Sequence, residues 1–373
     1  MVNPKNFIGT LGEAGVDFYA GVPDSLLKNF CACLSDTLPT ENYIITANEG
    51  TAVGLAAGHF LATRRLPVVF MQNSGLGNTV NPLLSLMDPK VYSLPVLLII
   101  GWRGEPGKKD EPQHAKQGIV TLPLLEAMDI PYTILSDDEE EALAQTREAA
   151  SDCLRRSAPC AIVVRKGTFS DFKLSHSAGS DFPMSREDAL KIVAALLPAD
   201  AVIVSTTGKL SRELFELREA RGEGHARDFL TVGSMGHASS IALGIALAKP
   251  QRPVYCFDGD GALIMHLGAL SNIGAAAPRN YTHIVFNNGA HESVGAQPTL
   301  GLAIAVPSIA RACGYASAVT VSMAAELARV LKVGAPGPRL IEIKVAVRSR
   351  SDLGRPTTTP IQNRDSFMQF LGE

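Results

Sequence analysis

The chain has 373 residues, of which 46% are hydrophobic and 19% charged, and its formal net charge is −3. That length suits two domains, each with apolar residues enough for a core, which excludes a disordered chain. The weak charge gives no basic field for nucleic acid, and the longest apolar run, around Val96 to Ile100, is far too short to span a bilayer.

In chain order, short apolar runs alternate with amphipathic stretches. Strands are predicted at 17–21, 43–46, 67–71, 95–100, 131–135 and 160–165. Helices between them are predicted to start near Asn3, Ser25, Glu49, Asn78, Gln117 and Asp137. Residues 166–184 are polar, rich in Ser, Gly and Asp, and without period. We read a first domain over 1–168, a linker over 169–184 and a second domain over 185–373. Ser185 and Asp188 are spaced as a capping box that opens the second domain. Its strands are predicted at 201–205, 228–232, 253–257, 281–286, 316–320 and 339–345. The expected fold class is α/β, with two doubly wound parallel-sheet domains and no domain between them. The helical stretches GTAVGLAAG (50–58) and HASSIALGIALA (237–248) are rich in small residues, as close helix–sheet packing or a subunit interface requires.

The six cysteines form no CxxC pair and no zinc-type spacing. The N-terminus carries no apolar signal core. Reduced structural thiols in a cytoplasmic protein are the expectation. GLGNTV (75–80) lacks the third glycine of a dinucleotide fingerprint, so no NAD site is read there.

PVYCFDGDGAL (253–263) carries the strongest chemical signal. An apolar strand ends in Gly259-Asp260-Gly261-Ala262, and a helical stretch follows. Ligands of doubly wound sheets sit beyond the carboxyl ends of the strands. Glycines bring the chain's amides close to an anion, and the helix start offers free N–H groups to a phosphate. Asp260 supplies a hard carboxylate oxygen. The next strand ends in Asn287-Asn288, whose amide oxygens also suit Mg²⁺. The second half reads as a metal–diphosphate site.

GDG followed by NN at the end of the next strand resembles the signature of the thiamine-diphosphate (ThDP)-dependent enzymes. By that resemblance the two domains are of the pyrimidine-binding and diphosphate-binding types. Asp260, Asn288 and the Ala290 carbonyl are implied ligands of Mg²⁺. TVGSMGHAS (231–239) resembles the segment that holds the aminopyrimidine, with the Gly233 carbonyl as acceptor and Met235 as apolar wedge. Thr206, Thr207 and Gly208 follow a strand and could bind diphosphate oxygens. Glu49, at a strand-to-helix junction, stands where the family carries a glutamate facing the pyrimidine N1′; there it favours the imino tautomer that generates the C2 ylide. The family's cofactor usually bridges two subunits, which implies a homodimer or larger assembly with active sites at the subunit interface.

The two-domain architecture is most similar to phosphonopyruvate and sulfopyruvate decarboxylases, through GVPDSLLK (21–28), NEGTAVGLAAG (48–58), MQNSGLGNTVNPL (71–83), the 97–114 segment and NNGAHESVGAQPT (287–299). The implied substrate is a small anionic 2-oxo acid, 3-phosphonopyruvate first and sulfopyruvate as the alternative. Loss of CO₂ by way of an enamine would give phosphonoacetaldehyde, in phosphonate and antibiotic biosynthesis. A structural or regulatory ThDP-fold subunit is the non-enzymatic alternative. In the 101–114 loop, read as a lid, Arg103 can fork onto phosphonate oxygens, with His114 a further donor. Asp24 and Ser25 read as a helix cap or as part of the substrate site, and His291 and Ser293 could face the substrate.

Overall fold

A computed structural model describes residues 1–175 and 181–372. The chain divides into two compact units, Met1–Ser177 and Ala178–Glu373. Residues 176–180 of the expected linker lie outside the described residues. Its flanks pack into the cores: Phe169 sits against Phe7 and Phe30, and Met184 belongs to the second unit's core.

The first unit runs α1 (Pro4–Glu13), β1 (Phe18–Gly21), α2 (Lys28–Thr37), β2 (Tyr43–Ile45), α3 (Glu49–Thr63), β3 (Pro67–Gln72), α4 (Leu76–Ser85), β4 (Leu97–Gly101), α5 (Pro112–Ala127), β5 (Tyr132–Ile134), α6 (Glu139–Arg156) and β6 (Cys160–Val164). All pairings are parallel, in the order β2-β1-β3-β4-β6-β5. The four inner strands are buried on both faces and read as nearly continuous apolar runs, while the edge strands β2 and β5 are only partly covered. Tyr19, Phe70, Leu97, Ile99 and Ile162 face α1, α2 and α6. Phe18, Met71, Leu98, Ile100 and Val163 face α3, α4 and α5. Each such side chain, fully buried, contributes roughly 1.5–3 kcal/mol.

The second unit runs α7 (Arg186–Leu196), β7 (Val202–Ser205), α8 (Lys209–Ala220), β8 (Asp228–Leu230), α9 (Ala238–Ala248), β9 (Val254–Gly259), α10 (Asp260–Met265), α11 (Ala269–Ala276), β10 (Tyr281–Asn287), β11 (Ala290–His291), β12 (Gln297–Pro298), α12 (Val306–Ala312), β13 (Ser317–Val321), α13 (Ala324–Lys332), β14 (Arg339–Lys344) and α14 (Pro360–Gly372). Its six-stranded parallel sheet has the order β13-β14-β10-β9-β7-β8, and β11 and β12 form a separate antiparallel hairpin. The Ser185–Asp188 capping box opens α7 as expected. Ala238, Ala242 and Ala246 form the buried stripe of α9 on β7 and β9, so the small residues serve close packing.

Two local expectations are corrected. α2 starts at Lys28 rather than Ser25, because the Asp24 carboxylate accepts from the Leu26 N–H at 2.9 Å and holds a turn instead of capping the helix. α5 starts at Pro112 rather than Gln117; a proline in the first helical turn gives up only a bond that turn lacks anyway. His114 therefore lies in a helix and is buried, not displayed on a loop.

Candidate ThDP-binding site

In the second unit the strand order reverses between β7 and β9, and β10 is the next neighbour. A crevice beyond the carboxyl ends at such a reversal is where doubly wound sheets hold ligands. Three motifs meet at those adjoining ends.

Beyond β7, Thr206 donates its N–H to the Phe257 carbonyl at 2.8 Å. Its buried hydroxyl has no hydrogen-bond partner. Such a group is costly to leave unmet, and an incoming phosphate oxygen would satisfy it. Thr207 Oγ1 accepts from the Gly233 N–H at 3.1 Å, which ties this loop to the 231–237 turn. Gly208, at φ 106°, takes a conformation open in practice only to glycine and leads into α8. Gly233, Ser234 and Gly236 all have positive φ, which folds the turn back onto α10. A Cβ on Gly236 would stand 2.6 Å from the His266 ring and 3.0 Å from the Ala262 carbonyl. Met235 is half-buried.

Gly259 ends β9, and Asp260 is the first residue of α10. The Asp260 carboxyl is buried. It accepts from the Thr299 hydroxyl and from the N–H groups of Asp260, Gly261 and Asn288. Burial outweighs those donors and pushes its pKa up to about 6. None of these partners is cationic, so a buried carboxyl stands among neutral donors, which suits a bound cation. Asn288, beyond β10, turns its Oδ1 to the Ala290 N–H at 3.0 Å. Asn287 is locked by Gly301 O and Glu342, each at 2.7 Å, and is structural.

Thr299 closes the 287–299 segment without a role read for it there, and Gly301 lies beyond that segment. A Cβ on Gly301 would lie 2.5 Å from Asp260 Oδ2 and 2.7 Å from Asn287 Oδ1. His291 and Met235 both approach Gly261: a Cβ there would meet the His291 ring at 2.8 Å and the Met235 methyl at 3.4 Å. Burial lowers the His291 pKa to about 4, so its ring is neutral at pH 7. Ser293 is exposed in the short helical turn Glu292–Val294. Behind the motif, Cys256, Asp258 and His283 are buried within 4.8 Å of one another. Register across β9 and β10 joins them, so no spacing in the sequence announces them.

In the first unit the strand order reverses between β1 and β3. Beyond β1, buried Asp24 accepts from Gln72 Nε2, at the end of β3, at 2.5 Å. Burial raises its pKa against the pull of Gln72, Leu26 and Arg103. Arg103, beyond β4, gives Nη1 to Ser25 Oγ at 2.9 Å and Nε to Asp110 at 2.8 Å. So Asp24, Ser25 and Arg103 are brought together, but the Arg103 fork is occupied by Asp110, a partner the sequence did not suggest. Lys108 and Lys109 are exposed. Glu49, the first residue of α3, is buried, and Asn48 before it caps the helix through Thr51 N–H at 2.9 Å. Asn78 Nδ2 donates to Glu49 Oε2 at 2.7 Å. Gly75 lies against the same carboxyl, where a Cβ would collide with it.

Comparison with known proteins identifies both domains. Residues 5–123 match the thiamine pyrophosphate enzyme N-terminal TPP binding domain, and residues 206–343 match the C-terminal TPP binding domain. The chain is 36% identical to a phosphonopyruvate decarboxylase of Streptomyces viridochromogenes, over 100% of this chain and 95% of the relative. It is 35% identical to one of Streptomyces hygroscopicus, with the same coverage. It is 31% identical to a sulfopyruvate decarboxylase of Methanosarcina acetivorans, over 86% of this chain and 85% of the relative. The chain belongs to the thiamine pyrophosphate enzymes, in the family of the phosphonopyruvate decarboxylases.

Proposed function

We propose that the protein is a ThDP- and Mg²⁺-dependent decarboxylase that converts 3-phosphonopyruvate to phosphonoacetaldehyde and CO₂. The observation that carries the reading is the buried Asp260 carboxyl, ringed by neutral donors and hydrogen-bonded by the Asn288 backbone. Asp260, Asn288 and the Ala290 carbonyl would hold Mg²⁺, which prefers such hard oxygens. Thr206, Thr207, Gly208, Gly259, Gly261 and Ala262 would hold the diphosphate, and Gly233 and Met235 the pyrimidine. When bound, ThDP supplies the carbon nucleophile and the electron sink that loss of a 2-oxo acid's carboxylate needs.

The chain's own residues bind, orient and protonate. Glu49 would hold a proton at the pyrimidine N1′. Asn78, bonded to Oε2, fixes the carboxyl's orientation, and Gly75 leaves it room. Arg103 and Ser25 would anchor the phosphonate, with Arg103 exchanging Asp110 for the substrate. Asp24 holds the turn that carries Ser25. His291, neutral at pH 7, is suited to line the pocket beside Gly261 without adding charge, and Ser293 adds a hydroxyl near it. His114, buried in α5, would act by supporting the Gly104 turn, its carbonyl lying against Gly104. In the assembly we propose, a homodimer or larger, Glu49 of one protomer and Asp260 of its partner serve one coenzyme. The free cysteines suit a cytoplasmic enzyme, and no helix among the described residues is long and apolar enough to cross a membrane.

The test is CO₂ release from phosphonopyruvate, sulfopyruvate and pyruvate by the reconstituted protein. Phosphonopyruvate is expected to give the highest kcat/KM. A higher value with sulfopyruvate would transfer the assignment to the sulfonate, and release from none of the three would remove the activity.

A further inference from the structure

A largely buried ion network in the second unit joins α7, α8 and the Glu292–Val294 turn. Arg186, at the start of α7, is buried. Its Nε and Nη2 donate to the two oxygens of Glu213 on α8, at 2.8 and 2.7 Å. Its Nη1 donates to Glu292 Oε2 at 2.7 Å. Glu292 Oε1 faces Lys209 Nζ at 3.5 Å. Two cations therefore hold Glu292 ionised. The same Oε2 also accepts from the side-chain amide of Asn288, Nδ2 to Oε2 at 3.2 Å.

We propose that Glu292 is a positioning residue that fixes which end of the Asn288 amide meets the cation, an inference that rests on the Mg²⁺ site proposed above. An ionised carboxylate only accepts hydrogen bonds, so Asn288 can offer it nothing but the NH₂ end. The carbonyl end is held at the Ala290 N–H, where one lone pair accepts that bond and a second remains for a metal. Without Glu292 the amide keeps only the Ala290 N–H to orient it, so the alternative that presents NH₂ to the cation costs one hydrogen bond instead of two. Arg186 and Lys209 act one step further out: they keep the carboxylate charged and in place. Outer partners of this kind ordinarily govern affinity by orienting the ligand they touch.

Binding of Mn²⁺ to the protein with ThDP present, read from the free-ion EPR signal, tests this without reference to turnover. Glu292→Gln keeps the shape but can offer Asn288 either a donor or an acceptor, and is expected to weaken Mn²⁺ binding about 10- to 100-fold. Glu213→Gln strips the other carboxylate from Arg186 yet touches Asn288 nowhere. It should lower the melting temperature of the metal-free protein much as Glu292→Gln does, and leave Mn²⁺ affinity within about two-fold, since outer-shell losses fall on partners of the ligand itself. The double variant Glu292→Gln/Asn288→Asp restores the charge and gives the metal a ligand with two like oxygens, which needs no orienting. It is expected to recover most of the lost affinity. Unchanged affinity in Glu292→Gln, equal losses in both single variants, or no recovery in the double variant would overturn the proposal. Asp260→Ala is the reference: it should abolish the tight site, and if it does not, the metal reading itself falls and this inference with it.

Discussion

Asn78 Nδ2 donates to Glu49 Oε2 at 2.7 Å, and the residue that leaves room for this carboxyl, Gly75, sits three positions before Asn78. One turn thus both clears and orients a buried glutamate at the start of α3. Glu49→Gln should keep ThDP affinity near wild type while kcat falls roughly 10²- to 10⁴-fold, the usual share of a positioned acid–base group. Calorimetry and steady-state rates on the same preparation check this. Wild-type turnover would remove Glu49 from the mechanism.

Gly301→Ala places a methyl group 2.5 Å from Asp260 Oδ2 and 2.7 Å from Asn287 Oδ1, both on buried side chains. Overpacking of this kind costs about 1–3 kcal/mol. The variant should melt lower and bind Mg²⁺ more weakly. The comparison is Gly9→Ala in α1, where a Cβ meets nothing within 4 Å. There a helical alanine should stabilise by roughly 0.5–1 kcal/mol and leave Mg²⁺ binding alone.

The raised Asp260 pKa has two consequences of opposite sense. Protons compete with the cation below about pH 6, so Mg²⁺ affinity should fall as pH drops through that value. In metal-free protein the native state holds this proton more tightly than the unfolded chain, whose carboxyl titrates near 3.8. Asp260 therefore makes stability decline as pH rises from about 4 to 6, by linkage. Asp260→Asn should remove that decline from the pH profile of thermal melting.

Asp110 occupies the Arg103 fork, and the guanidinium holds the Asp110 carboxyl far below its ordinary range. Arg103→Lys should raise KM for phosphonopyruvate about 10- to 100-fold, the loss of a charge-assisted bond worth about 1.5–3 kcal/mol, with a smaller effect on kcat. Asp110→Asn loses a contribution that is present above the unfolded carboxylate pKa and fades as pH falls below it. Its stability deficit should be largest near neutrality and shrink under acid; a deficit constant with pH would contradict the ion pair.

The twelve strands of the two parallel sheets fall within two residues of their expected bounds, and the inner ones stand out most because, covered on both faces, they are largely apolar. The second-unit motif was legible for the same reason: Asp260 and Asn288 each follow a recognisable strand end. Contacts made across the fold were not legible. Thr299 and Gly301 reach Asp260 only because the β11–β12 hairpin returns the chain to it. That hairpin has two residues in each strand, too few for a periodic pattern. Cys256 and His283 meet through strand register. Asp110 reached Arg103 because α5 begins at Pro112, earlier than the apolar period suggested, and shortens the loop to a tight turn.

The most direct measurement is calorimetric titration of ThDP into the metal-free protein, with Mg²⁺ and with a chelator, for wild type and Asp260→Ala. Tight binding in wild type with Mg²⁺ alone, lost in Asp260→Ala, is the predicted result. Equal ThDP affinity with and without the cation, or in the variant, would contradict a metal-anchored diphosphate at Asp260.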